Sequence, residues 1–274
     1  MEKSYVWGID LGGTKIECAV LSAADLTQVI ARERIDTEAA KGYEHIISQV
    51  ARLVSRVSEQ LGVSPTRIGF ATPGVLNPAT QTMKNCNTTS MNGRPMAADL
   101  TKALGVEVRL ANDANCFALA ETHLGAVQDV NPKAEVVFGI IMGTGVGGGL
   151  VVHGQVINGL HGIGGEWGHN ILEEGGKACY CGKSGCVEHV ISGPALEEFY
   201  FSISGQKLRM PQILQAHLAG TDIHASATIE RMLENFGRAV STLINVLDPQ
   251  VIVIGGGVWN IDLLYTEGYN RIKK

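Results

Sequence analysis

A histidine and three cysteines lie close together in this sequence, at His169, Cys179, Cys181 and Cys186. Three thiolates and one imidazole make a complete tetrahedral set for zinc. Glycines between them let the chain wrap tightly around an ion. A closed set of four ligands leaves no position for a reactive water, so the expected role is structural. The spacing is Cys-x-Cys-x4-Cys, with the histidine ten residues ahead. The other cysteines, Cys18, Cys86 and Cys116, lie in apolar or loop contexts and read as ordinary small residues. Disulfides are not expected in a reducing compartment.

A second chemistry is suggested by glycine. The 34 glycines make up about an eighth of the 274 residues, above the usual ~7%. They cluster at Gly12-Gly13, Gly143 to Gly149, Gly162 to Gly165 and Gly255 to Gly257, each beside an apolar run. A glycine turn between two strands exposes successive backbone N–H groups, and such a nest suits phosphate oxygens. Thr14 and Thr144 add hydroxyls, and Lys15 adds a positive charge. Neither turn fits the Walker pattern, which ends in Gly-Lys-Ser/Thr ahead of a helix. Neither fits the dinucleotide fingerprint, because a strand follows each. Asp10, at the end of the strand before the first turn, could hold Mg²⁺ through water.

The third feature is a set of carboxylates. Asp113 follows an uninterrupted apolar strand and opens a helix-like stretch, a place where functional side chains gather in α/β sheets. There it could accept a proton from a reacting group. A helix N-cap is the equal alternative, and both Asn112 and Asp113 suit it. Glu166 and Glu188 flank the His/Cys cluster, whose metal would order the loop between them.

The elements that must position these residues can be outlined. Strands are expected at 5–10, 16–21, 29–35, 67–71, 106–111, 136–142, 150–153 and 250–254. A helix is expected where Ile46, Ile47, Val50, Leu53, Val54, Val57 and Leu61 recur at helical spacing, with Gln49, Arg52, Arg56 and Glu59 opposite and Gly62 as its stop. Further helices are expected after Asp113 and at 193–201, 210–219 and 225–247. The segments Gly8 to Lys15 and Gly139 to Gly147 repeat one pattern of strand, glycine turn and strand. This suggests two α/β lobes, at 1–125 and 126–274, facing a cleft.

The bulk numbers exclude several classes. A net charge of -5 argues against a nucleic-acid surface. No apolar run approaches the ~18 residues of a membrane span. The first residues do not read as a signal peptide, so a cytoplasmic location is expected.

Taken together, the chain resembles the ROK family of bacterial sugar kinases and repressors, within the actin/hexokinase-like (ribonuclease H-like) fold. The resemblance rests on Asp10-Leu-Gly-Gly-Thr-Lys15, Leu110-Ala-Asn-Asp-Ala-Asn115, Gly143-Thr-Gly-Val-Gly147, Gly165-Glu-Trp-Gly-His169, the run from Cys179 to Glu188, and Asp248-Pro through Gly257. It implies two lobes around a cleft, ATP with Mg²⁺ as phosphoryl donor, structural Zn²⁺ on His169, Cys179, Cys181 and Cys186, and a homodimer. It implies nucleotide contacts from Gly8, Ile9, Asp10, Leu11, Gly12, Gly13, Thr14 and Lys15. It implies others from Gly143, Thr144, Gly145, Val146, Gly147, Gly148, Gly149 and Leu150, with Gly256 and Gly257 near the adenosine. It makes Asp113 the base, and it makes Asn112, Glu166, His169 and Glu188 hydroxyl-binding residues with Gly74 close by.

The likeness is greatest to the fructokinase and mannokinase branch, carried by Lys84-Asn-Cys-Asn-Thr-Thr, Met91-Asn-Gly-Arg-Pro and the Gly-Glu-Trp-Gly-His-Asn170 segment. The expected reaction is therefore phosphorylation of fructose, mannose or glucose to the hexose 6-phosphate. The alternatives are an N-acetylglucosamine or N-acetylmannosamine kinase, and a sugar-responsive regulator without catalysis. The helix-turn-helix module of the family's repressors is not expected, since the first strand starts at Tyr5. The family's C-terminal return helix is also expected to be missing from these 274 residues.

Overall fold

Two runs of strand, glycine turn and strand organise the chain, and each nucleates a sheet of its own. The computed structural model describes residues 4–273, apart from the side chains of Trp259 and Asn260. The chain forms two compact units. One holds the chain through Cys116 together with Asn158–Gly164, and the other holds Phe117–Ile157 with the chain from Gly165 onward.

The first unit begins with a meander of β1 (Tyr5–Leu11), β2 (Lys15–Ser22) and β3 (Val29–Asp36). Helix α1 (Tyr43–Leu61) follows, then β4 (Arg67–Thr72), the short pair β5 (Val75–Leu76) and β6 (Met83–Lys84), α2 (Met96–Leu104) and β7 (Glu107–Asn112). The sheet order is β3-β2-β1-β4-β7. The first three strands are antiparallel, and β1, β4 and β7 run parallel. The register aligns Asp10 with Ala71 and Ala71 with Ala111, so the ends of the three parallel strands finish level.

Alternate residues of β1 and β2 (Trp7, Ile9, Leu11, Ile16, Cys18, Val20) face a core completed by Ile46, Val50, Leu53 and Val57 of α1. Gly62 stops α1 at φ 65°, a left-handed conformation that glycine adopts without strain. One expectation is corrected here. Gln49 is not on the solvent face but buried, because its amide finds a partner inside: Nε2 donates to the Asp36 carbonyl at 2.8 Å.

Helix α3 (Asp113–Leu124) continues directly from β7 and carries the chain into the second unit. The division falls at Cys116/Phe117, where the sequence suggested 125/126. From Phe117 onward α3 packs on the second sheet: a Cβ at Gly139 would stand 2.6 Å from that of Ala118. The second unit continues with α4 (Ala126–Val130), β8 (Val136–Met142), β9 (Val146–Val152), β10 (Gln155–Val156) and α5 (Glu188–Ile191). It ends with α6 (Gly193–Ser204), α7 (Met210–Leu218), α8 (Ile223–Leu247), β11 (Val251–Gly255) and α9 (Glu267–Ile272). Its sheet order is β10-β9-β8-β11, with β11 parallel to β8.

Strand β9 starts at Val146 rather than Leu150, so Gly147, Gly148 and Gly149 are strand residues and not part of a turn. Asp222 caps α8, accepting from the amides of His224 and Ala225 at 2.8 and 3.2 Å. The inner face of α8 contributes Ile229, Met232, Leu233, Phe236 and Val240 to the core. No helix among the described residues is long and apolar enough to cross a membrane.

Candidate functional site

In the first unit, the ends of the parallel strands gather Asp10, Gly74, Asn112 and Asp113. Asn112 is the last residue of β7 and is buried. Its Oδ1 accepts from the amides of Ala114 and Asn115, at 2.9 and 3.3 Å, the second and third residues of α3. Asn112 is therefore the helix cap. Asp113 is released from that duty; its Oδ1 accepts from the adjacent Ala114 amide, at 2.8 Å.

The Asp113 carboxylate is crowded by protein yet accessible, and that desolvation is the main reason its pKa is raised above the ordinary 3.8. The Asp10 carboxylate adds to the rise. Asp10 is raised as well, first by desolvation, then by Glu17, with Arg34 opposing. The two acids thus share one electrostatic neighbourhood, and a cation beside them would relieve it. Burial, then Asp113, pushes the Cys86 thiol up to about 12, and burial, then Asp113 and Asp10, pushes Cys116 up to about 11. Both thiols stay protonated and inert as nucleophiles.

Gly74 is required by close approach. A Cβ there would come 2.5 Å from Cys86 Sγ and 2.7 Å from the Lys84 carbonyl. The loop it packs against is stitched by Asn92, whose side chain bonds both the amide and the carbonyl of Cys86.

The first glycine turn is closed by the Gly12 amide donating to the Lys15 carbonyl at 2.9 Å. Thr37, fully buried, braces it by donating from Oγ1 to the Gly12 carbonyl at 2.6 Å. Thr14 is exposed. Lys15 is paired with Asp36 across the β2–β3 ladder. Ile9 and Leu11, both implied as nucleotide contacts, are buried core residues whose side chains serve packing.

In the second unit, the turn between β8 and β9 comprises Gly143, Thr144 and Gly145, closed by the Gly143 amide donating to the Gly145 carbonyl at 2.9 Å. The following glycines have a packing reason. Trp167 Nε1 donates to the Gly147 carbonyl at 2.8 Å, and a Cβ at Gly148 would lie 2.5 Å from the Trp167 ring. A Cβ at Gly168 would fall 1.8 Å from the Val146 carbonyl oxygen. The Gly-Glu-Trp-Gly-His segment is thus pressed flat onto β9. Gly256, at φ 88°, lies against Met142, and the Gly257 amide is near Gly143, so the third glycine cluster joins this turn.

His169, Cys179, Cys181 and Cys186 offer ligand atoms that all lie within 4.8 Å of one another. Cys179 Sγ is 3.5 Å from His169 Nδ1, and Cys181 Sγ is 3.6 Å from Cys186 Sγ. A tetrahedron with Zn–S bonds of about 2.3 Å spaces its sulfurs by about 3.8 Å, so the donor set fits zinc. Nδ1 of His169 faces the thiols. Its Nε2 lies 3.1 Å from the Tyr180 hydroxyl and 3.9 Å from a Glu166 oxygen. Burial holds the imidazole pKa below its ordinary value, against the raising effect of Glu188. A neutral ring is the form that binds a metal.

Two residues here were not singled out from sequence. Tyr180, between two cysteines, packs edge-on to the imidazole with ring centroids 5.1 Å apart. His189 has a buried Nε2 with no hydrogen-bond partner, and it comes within 4.8 Å of ligand atoms of Cys179 and Glu188. Their positions inside and just after the cysteine run were the available signal.

The sequence profile of the ROK family matches residues 6–273. The N-acetyl-D-glucosamine kinase of Pasteurella multocida (strain Pm70) is 38% identical over 270 residues, covering 94% of this chain and 86% of that protein. The N-acetyl-D-glucosamine kinase of Vibrio parahaemolyticus is 34% identical over 278 residues, covering 98% and 89%. The crystal structure of the ROK hexokinase from Thermus thermophilus matches with a TM-score of 0.84 at 32% identity, over 98% of this chain and 88% of that one.

Proposed function

Because the chain belongs to the ROK family, we propose that it is an ATP-dependent kinase of N-acetyl-D-glucosamine, transferring the γ-phosphoryl group to the 6-hydroxyl. The sequence alone favoured fructose, mannose or glucose and put the N-acetylhexosamines second. The order is reversed here because relatives 34–38% identical over nearly the whole chain carry the N-acetyl-D-glucosamine kinase name. The observation that carries the chemistry is the division of labour at the head of α3, where Asn112 caps the helix and leaves Asp113 to act.

In this reading Asp113 accepts the proton of the attacking hydroxyl as the phosphoryl group arrives. Its pKa, raised chiefly by desolvation, makes it a better base than an ordinary aspartate. Asn112, Glu166, His169 and Glu188 bind sugar hydroxyls, with Gly74 allowing close approach of the chain. The amides of the turns at Gly12–Lys15 and Gly143–Gly145 hold phosphate oxygens, aided by the Thr14 and Thr144 hydroxyls. Gly256 and Gly257 lie near the adenosine. Asp10 would hold Mg²⁺ through water, and that ion would neutralise phosphate charge. His169, Cys179, Cys181 and Cys186 would hold zinc, which supplies rigidity to the loop carrying Glu166 and Glu188.

The test is ADP formation, coupled to NADH oxidation, across N-acetylglucosamine, N-acetylmannosamine, glucose, mannose and fructose. The expected result is the highest kcat/KM with N-acetylglucosamine. A higher value with an unsubstituted hexose would return the assignment to a hexose kinase. No turnover with any sugar would leave the regulator reading standing.

A further inference from the structure

Glu188 does something that its expected role in binding sugar does not require. Its Oε2 accepts from the backbone amide of Val146 at 3.0 Å, the residue that closes the glycine turn. The same oxygen would lie 2.5 Å from a Cβ at Gly145. Gly145 is thus the residue type that lets the carboxylate reach the turn. The other end of the turn is held from the same stretch of chain, where the Gly193 amide donates to the Gly143 carbonyl at 2.9 Å. The segment from Glu188 to Gly193 therefore clamps the turn at both ends.

Glu188 is itself well anchored. Val187 donates to the Asn170 carbonyl at 2.9 Å, and Cys186, two residues before Glu188, is buried within the cysteine cluster. A Glu188 carboxylate oxygen also lies within 4.8 Å of ligand atoms of Cys179 and His189, so the side chain borders the cysteine cluster as well as the turn. A carboxylate has about four lone-pair sites, and Val146 uses one.

We infer that Glu188 is a positioning residue for the phosphate-binding turn Gly143–Gly145, and that through this one carboxylate sugar occupancy is coupled to nucleotide affinity. The coupling rests on the proposed function, in which Glu188 also binds a sugar hydroxyl. The prop on the turn rests only on the contacts just described. Removing the acceptor leaves the Val146 amide without its partner and loosens the turn. Sugar bound to the same carboxylate restrains it, and a restrained carboxylate holds the turn in one shape. By linkage, nucleotide then favours sugar to the same degree.

The experiment uses the full chain with its metal. The dissociation constant for ADP is measured by calorimetry without sugar, then with saturating N-acetylglucosamine, for the wild type, Glu188→Gln and Glu188→Ala. Zinc content and melting temperature are recorded for each as a check on folding. Glu188→Ala is expected to weaken ADP binding roughly tenfold or more, as for loss of a hydrogen bond to a charged acceptor. Glu188→Gln keeps an oxygen for Val146 and is expected within about threefold of the wild type. The tightening of ADP binding by sugar is expected in the wild type and absent in Glu188→Ala. Unchanged ADP affinity in a folded, zinc-loaded Glu188→Ala would overturn the inference. So would equal losses in the Ala and Gln variants, since a prop on an amide is served by either oxygen. The sugar-free measurement stands apart from the choice of sugar. Failure of the kinase reading would show in the ADP-formation panel instead.

Discussion

Replacing Asp113 by Asn separates its two readings. As a base, Asp113 contributes about 10²–10⁴ in kcat. At 1.36 kcal/mol per decade this is about 2.7 to 5.4 kcal/mol of barrier. As a cap, it would contribute to the stability of α3 instead. The contacts assign the cap to Asn112, whose Oδ1 reaches the amides of both Ala114 and Asn115, while Oδ1 of Asp113 reaches that of Ala114. The sign of the stability effect follows from the pKa. The fold raises the pKa of Asp113, so the ionised side chain destabilises the fold at neutral pH and ceases to do so as pH falls through the raised value. A neutral Asn removes that penalty, so Asp113→Asn should melt no lower than the wild type at pH 7 while losing at least a hundredfold in kcat. The ionised fraction of Asp113 also governs the acid limb of kcat/KM, which should sit above the ordinary aspartate value of 3.8. The assays are coupled ADP formation at saturating sugar, a pH profile and a thermal melt. A variant within tenfold of wild-type kcat, or one that melts several degrees lower, would refute the reasoning.

The converse variant, Asn112→Ala, removes the cap, costs about 1 kcal/mol and lowers the melting temperature by roughly 2–4 °C. Asn112→Asp should restore most of that stability, and a melt of the two side by side checks it. For the metal, about one zinc per chain is expected from the closed four-ligand set. Atomic absorption should find it in protein purified without chelators, and Cys181→Ser should lose most of it. Absence from the wild type would overturn the zinc assignment. Gly168→Ala drives a Cβ to 1.8 Å from the Val146 carbonyl, where only backbone could yield. A loss of about 1–3 kcal/mol or more in denaturant unfolding is expected.

The legible parts of this chain are those whose signal is local. Helix α1 declares itself through Ile46, Val50, Leu53 and Val57 because one buried stripe fixes its period. Gln49 escapes that pattern because its burial is compensated by the Asp36 carbonyl, which lies in a different element. His169, Cys179, Cys181 and Cys186 fall within eighteen residues, so their type and spacing point to one cluster, and their ligand atoms do lie within 4.8 Å of one another. The glycines after Val146 were harder. A missing side chain reads the same whether a phosphate or Trp167 takes the space, and only the packed structure gives Gly148 to the indole. Asn112 and Asp113 cap equally well as residue types, so the choice between them needed the register of β7 against the first turn of α3. The sugar was not legible because, under the proposed function, the shared segments would serve the phosphates and the attacked hydroxyl, which every substrate of such a kinase presents.

Glu188 marks the far end of this scale. In sequence it is an acid two residues after a cysteine, and the amide it accepts from is 42 residues away. The sequence singles out Gly145 and Glu188 for separate roles, and the structure joins them in one contact. Their dependence on each other has a consequence. A side chain at Gly145 meets the tip of Glu188 and little else, since the far end of a flexible side chain can move. Gly145→Ala should therefore fold normally, unlike Gly168→Ala, and should disturb the turn by evicting the carboxylate. The two lesions then remove the same hydrogen bond. Gly145→Ala and Glu188→Ala should each weaken ADP binding, and the double variant should be little worse than either single one, because contacting residues do not add. Additive losses would mean that the glycine and the acid act on the nucleotide separately.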